Sequence, residues 1–214
     1  MPTTNPTPGP TVGFDLDMTL VDTRPGIRST YRALSEESGV WVDADLAVSR
    51  LGPPLTWELK NWFPEDRVPW AVDRYRALYP DHAITTSPLL PGAVEALDAV
   101  RRAGGRSMVV TAKIGVNARM HLDFLGLAPD LLFGDLWAEA KGAALREQGA
   151  SVYVGDHVGD VRGAHAAGAL AVSVATGPCD AAELREAGAD VLLDHGLKDF
   201  PGWLDEHLAT AAGR

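Results

Sequence analysis

The chain of 214 residues has one cysteine, Cys179. A lone thiol can neither close an internal disulfide nor build a cysteine-rich metal site, which suits a reducing compartment. Long apolar runs are missing too: none approaches the roughly 18 residues a membrane-spanning helix requires. The opening MPTTNPTPGPT has neither the basic start nor the apolar stretch of a secretion signal, so a cytoplasmic location is expected. Positive charge is scarce, with 19 Lys+Arg against 29 Asp+Glu and a net charge of −10. Such a chain repels a phosphate backbone unless a basic stripe intervenes. None is present: Arg101 and Arg102 are isolated helix-face charges. Nucleic acid and membrane are therefore excluded as expected partners, and a monomer or homodimer is anticipated. What the chain does have is 46% hydrophobic and 22% charged residues, enough for one core with room for an insertion.

Short apolar runs that break at a small or polar residue recur along the chain. They are Thr11–Leu16, Arg106–Thr111, Asp130–Gly134, Ser151–Gly155, Leu170–Ala175 and Asp190–Leu193. Buried parallel strands have this pattern. Between them, Ala93–Arg102, Val116–Leu125, Glu139–Gln148, Val158–Ala167, Ala181–Ala187 and Lys198–Ala211 carry apolar residues at helical spacing. The alternation predicts a Rossmann-like α/β fold, a parallel sheet with helices on both faces, whose chemistry sits at the carboxyl ends of the strands. One interval is too long for a single crossover. Ile27–Ser38, Leu46–Leu51 and Pro69–Tyr79 read as helices within it, and Ser87–Gly92 reads as a proline-fixed return. The expected organisation is a disordered tail (1–10), a core (11–23 and 89–214) and an all-α cap (24–88).

Two pairs of acids stand at strand ends. Asp15 and Asp17 flank Leu16, and Asp15 still lies in the apolar run, where an unpaired carboxylate is costly. Asp156 and Asp160 follow the run ending at Gly155. Each pair alone could be a helix cap or a dipole partner. Together they put four carboxylates at one sheet edge, where repulsion calls for a cation. Oxygen ligands without clustered cysteines or paired histidines point to Mg2+. Thr111 and Lys141, each unremarkable alone, add a hydroxyl and a cation suited to a phosphate.

The set resembles the haloacid dehalogenase superfamily, whose members are mostly phosphatases. The D-x-D-x-T motif matches Asp15, Asp17 and Thr19. A threonine after a strand matches Thr111, a lysine after the third strand matches Lys141, and G-D-x-x-x-D matches Gly155, Asp156 and Asp160. The insertion resembles the helical cap of the phosphoglycolate phosphatase subgroup. The resemblance implies that Asp15 is the nucleophile and that Asp17 is general acid, then base. Thr111 and Lys141 would steady the phosphate. Asp15, the Asp17 carbonyl, Asp156 and Asp160 are the implied metal set.

Asp17 argues against carbon–halogen cleavage, since dehalogenating relatives lack the second acid. The absence of a histidine in Thr23–Arg28 argues against phosphosugar mutases, which resemble one another in carrying one early in the cap. Three residues depart from the pattern: Met18 replaces a usual glycine, Ala112 a usual asparagine, and Gly142 a usual proline. Thr19, Ala112, Lys113 and Arg50 are candidate substrate contacts, with Lys60 as a weaker one. Trp57 and Trp62 are expected mainly to fill the cap. Pyrophosphate or nucleotide hydrolysis and a catalytically silent binding protein remain the alternatives to a phosphomonoesterase. The histidines show no zinc-site spacing.

Overall fold

The computed structural model describes residues 9–212. Most of the expected tail lies outside them, but Pro10 already accepts a hydrogen bond from the Arg106 amide (2.8 Å).

Six strands, β1 (Thr11–Phe14), β2 (Arg106–Val110), β3 (Leu131–Phe133), β4 (Ala150–Gly155), β5 (Leu170–Val174) and β6 (Val191–Leu193), form one parallel sheet. Their order is β3-β2-β1-β4-β5-β6. β1 and β4 are thus neighbours at the centre, with Phe14 opposite Val154, so the residues that leave these two strands emerge side by side. The Asp15 amide continues the ladder by bonding to the Val154 carbonyl (2.8 Å). The chain then turns tightly rather than running extended to Leu16 as the sequence pattern suggested.

Helices α5 (Ala93–Arg102), α6 (Gly115–Leu125), α7 (Lys141–Glu147), α8 (Val158–Ala167), α9 (Ala181–Glu186) and α10 (Phe200–Ala212) cover the sheet. One apolar cluster joins Val12, Phe14 and Val109 to Leu97, Val100 and Phe200; another joins Met108, Val110 and Tyr153 to Leu145 and Val161. The two faces of the sheet are thereby buried separately. This is why its strands read as unbroken apolar runs.

Between β1 and α5 lie α1 (Arg24–Ser38), α2 (Ala44–Val48), α3 (Leu55–Leu59) and α4 (Val68–Ala83). They pack around their own cluster, which includes Tyr31, Leu34, Leu59, Tyr75 and Tyr79. Four features differ from the sequence reading: α1 starts at Arg24 rather than Ile27, with Pro25 tolerated in its first turn, and α2, α3 and α4 each depart from it. α2 starts earlier because the Asp43 side chain caps it through the Leu46 amide. α3 is too short for its periodicity to register. α4 runs through Pro80 instead of stopping before it. Proline removes one hydrogen bond there, but Tyr79 and Ala83 on either side are buried in the insertion's apolar cluster, and that packing outweighs the loss. The two chain segments connecting this insertion to the core pair with each other, through Leu90 to Leu20 (2.9 Å) and Asp22 to Pro88 (2.9 Å).

Candidate active site

Asp15, leaving β1, and Asp156, leaving β4, are buried at the sheet edge with Asp160 from the first turn of α8. Their donor oxygens lie within 4.8 Å of one another. Burial pushes the Asp15 carboxyl up to about 7 despite the opposing pull of Lys141, with Asp160 and Asp17 adding to the rise. Burial, then Asp160 and Asp15, push Asp156 up as well. Such crowding is the condition a divalent cation relieves. The oxygen-only donor set also fits a hard ion, and Asp15 Oδ1 is buried without a hydrogen-bond partner. A Cβ on Gly177 would overlap Asp156 Oδ2, so the loop after β5 leaves that oxygen its space.

Lys141 is fully buried at the start of α7. Its ammonium donates to Asp160 Oδ1 (2.6 Å) and the Tyr153 hydroxyl (2.9 Å), and lies 3.0 Å from Asp15 Oδ1. The last contact is an ion pair without hydrogen-bond geometry, consistent with the orphaned oxygen. Burial works against the Lys141 charge, but Asp15 and Asp160 outweigh it and hold the amine above its ordinary value. Tyr153 in turn donates to the Val110 carbonyl (2.7 Å), which ties the lysine to the sheet. The Asp160 Oδ2 atom accepts from the His157 amide (3.1 Å). With one oxygen on Lys141 and the other on the chain, Asp160 is oriented by its neighbours.

The Asp17 carboxylate is not part of the three-acid group. It accepts from Thr23 (2.6 Å) and pairs with Lys113 (3.0 Å). Burial alone would raise its pKa; Lys113 and Thr23 outweigh that and lower it. The Thr19 hydroxyl is spent on Asp156 Oδ1 (2.8 Å), so it faces the acid rather than open space. Thr111, at the end of β2, is buried, and its Oγ1 accepts from the Lys113 amide (3.2 Å).

Asp15, Asp17, Thr111, Ala112, Lys113 and Arg50 line one cavity of about 170 Å3 between the core and the helical insertion. Arg50 is held by Glu58 (2.5 and 3.0 Å). Lys60 is exposed and outside the cavity. Trp62 packs into the insertion and donates to Glu58 (2.8 Å). Trp57, in contrast to the expectation of core packing, is 57% exposed. Its ring lies edge-on to Trp137 of the core (6.5 Å). Trp137 packs on His157 (5.0 Å), and the loop at Gly52 presses on the same histidine so closely that a Cβ would clash.

Several residues here carry no sequence signal of their own. Tyr79, from α4, accepts from Lys113 (2.7 Å) and meets His121 Nε2 (2.8 Å). Tyr31, Tyr75 and Trp137 also line the cavity. A tyrosine at helical spacing looks like any core residue, and only Tyr153, alternating with valines in β4, sits where strand period could have pointed it toward Lys141.

Residues 12–165 match the model of the haloacid dehalogenase-like hydrolase family. The chain belongs to that family. It is 31% identical to a probable phosphatase, IndB, of Dickeya dadantii, over 86% of this chain and 89% of that one. To a phosphoglycolate phosphatase of Caulobacter vibrioides it is 29% identical, over 90% of each. A haloacid dehalogenase-like family hydrolase from Streptococcus pneumoniae superposes with a TM-score of 0.80, at 23% identity over 91% of this chain and 98% of that one. The chain is a phosphatase-type hydrolase of this family, acting on phosphoric monoesters. Among the described residues no helix is long and apolar enough to cross a membrane.

Proposed function

We propose that the protein is a magnesium-dependent phosphatase that hydrolyses a small organic phosphomonoester through an aspartyl-phosphate on Asp15. The observation that carries this is the buried group of Asp15, Asp156 and Asp160 with Lys141 beside the nucleophile. Asp15, Asp156 and the main-chain carbonyl of Asp17 would hold the ion, with Asp160 as orienting acid or further ligand. When bound, magnesium supplies positive charge that keeps Asp15 ionised and lessens its repulsion with the phosphate.

Asp15 attacks phosphorus in line as the bond to the leaving oxygen breaks, and Asp17 gives that oxygen a proton. Water then attacks the aspartyl-phosphate, losing its proton to Asp17 and freeing Asp15 and inorganic phosphate. Lys113 and Thr23 favour the ionised form of Asp17, which is the base of this second step. Arrival of a phosphate anion beside it favours the protonated form needed for the first. Thr111 and Lys141 meet the non-reacting phosphate oxygens as charge develops, and Thr19 holds Asp156 in place. A cytoplasmic setting, reducing for the buried free thiol of Cys179, accompanies this reading.

The test is hydrolysis of p-nitrophenyl phosphate with magnesium by the native protein and by Asp15→Asn. We expect a loss of more than about 1000-fold in kcat for the variant. Turnover that is insensitive to Asp15→Asn, or no turnover by the native protein on this ester and a panel of small phosphates, rejects it.

A further inference from the structure

The cavity above Asp15 and Asp17 has three cations in its lining, Arg50, Arg76 and Lys113, and each faces a carboxylate. Arg50 is paired with Glu58 (2.5 Å), which also holds the Trp62 indole. Arg76 lies 3.7 Å from Asp135, and Lys113 3.0 Å from Asp17. Arg76 Nε lacks an acceptor but is sealed from solvent, beyond reach of a molecule in the cavity. Arg50 and Lys113 are thus committed to close carboxylates, and Arg76 is left in a longer, exposed pair. At the position beside the motif threonine, Ala112 offers no side-chain donor.

Uncharged hydrogen-bonding groups are left over instead. Tyr31, Tyr75 and Asn117 line the cavity at 3%, 5% and 5% exposure. Neither phenol nor the Asn117 amide has a partner among the described residues. None of these polar atoms is sealed away as Asp15 Oδ1 and His121 Nδ1 are, and all three residues line the cavity. The two tyrosine rings pack on each other in a tilted arrangement, 4.8 Å between centroids. Burial holds both phenols far above their ordinary titration range, so they remain neutral O–H groups. Buried polar groups without partners are costly and uncommon, and a ligand with hydroxyls satisfies them. A carboxylate placed among them would surrender its hydration without gaining a counter-charge.

We propose that the leaving group is an uncharged polyhydroxylated alcohol, a polyol or sugar, whose hydroxyls bond to Tyr31, Tyr75 and Asn117. The inference rests on the phosphatase reading above and selects among its substrates against phosphorylated carboxylic acids.

Two matched ester pairs differ only in a CH2OH against a carboxylate: glycerol phosphate with phosphoglycerate, and a hexitol phosphate with the corresponding phosphohexonate. With the native protein and magnesium we expect kcat/KM to favour the uncharged member of at least one pair by about 10-fold or more. Tyr31→Phe and Tyr75→Phe should each lower the ratio of kcat/KM for the preferred polyol ester to that for p-nitrophenyl phosphate by roughly 3- to 10-fold. Glu58→Gln, which releases Arg50, should narrow the preference against the carboxylate. Equal or better turnover of the carboxylate in both pairs overturns the proposal, as does an equal fall on polyol and aryl esters in both tyrosine variants. Should those variants fail to fold, the native pair comparison and Glu58→Gln decide it. Aryl hydrolysis combined with a carboxylate preference rejects this proposal alone; absence of any Asp15-dependent hydrolysis rejects the phosphatase reading and this one with it.

Discussion

The floor of the cavity and the wall above it follow opposite electrostatic plans. On the floor, Asp15, Asp156 and Asp160 crowd three carboxylates around one buried ammonium, Lys141, and burial, reinforced by the neighbouring carboxylates, pushes two of the acids upward. On the wall, Arg50, Arg76 and Lys113 each meet one carboxylate, and neutral phenols fill the space between. A surplus of charge is tolerable only where a cation and an anion are to be received. A balanced wall costs less to fold and gives selectivity through unpaired hydrogen-bonding groups.

The contrast can be broken most severely at Lys141. Lys141→Met leaves Asp15 and Asp160 buried without their cation, and we expect a loss of about 3–5 kcal/mol in urea unfolding without magnesium. Aryl phosphate turnover should fall at least about 100-fold in the same variant. A milder result would mean that water, not Lys141, compensates the floor.

Removing the ion should expose the floor's surplus as a pH dependence. Asp15 titrates at 3.8 in an unfolded chain and at about 7 in the fold. As pH rises through that window the unfolded chain gives up the proton first, so stability falls. In EDTA the melting temperature should decline from about pH 4 to 7 relative to Asp15→Asn, and magnesium should abolish the difference. His121, on the wall side and pushed down to about 4 by burial and then by Lys113, has the opposite slope. It costs stability as pH falls below about 6.5, which is why the Asp15→Asn reference is needed.

Met18 sharpens the comparison at the turn under the floor. It has a φ of 59° yet is 1% exposed. Glycine would relieve about 1–2 kcal/mol of strain but forfeit about 2–5 kcal/mol of packing. Met18→Gly should therefore destabilise by about 2 kcal/mol in chemical denaturation. A stabilised variant would show that the turn, not the side chain, limits the floor.

The smallest effect belongs to the wall. Tyr79→Phe removes the hydroxyl between Lys113 and His121 while Lys113 keeps Asp17. A loss of about 1 kcal/mol is expected by urea titration, well below that of Lys141→Met.

The difference between the two regions also explains what could be read from the chain. Asp15 and Asp156 stand where apolar runs end, with Asp160 four residues further on at a helix start, and a strand's exit point is local information. Strand and helix positions were legible for the same reason, with errors where capping by Asp43 or packing around Pro80 overrode periodicity. Lys141 looked like a solvated helix residue by itself; its burial depends on Tyr153 and Asp160, which come from other elements. The wall gave no such local mark. Tyr31 and Tyr75 lie on two helices of the insertion and share its apolar cluster, so their sequence setting is that of core residues; Trp57 and Trp62 had the same setting, and only Trp62 packs into the cluster.

The sequence by itself determined the alternation of strand and helix, the insertion after the first strand and the four short motifs, because each depends on neighbouring residues in the chain. The tertiary structure decided which acids share one space and which cations are already spent. Placing β1 beside β4 brings Asp15 against Asp156, while Asp17 turns to Thr23 and Lys113. It also decided that the wall is neutral. Pairing and burial are properties of distance in space, and charge compensation cannot be counted until the partners have met.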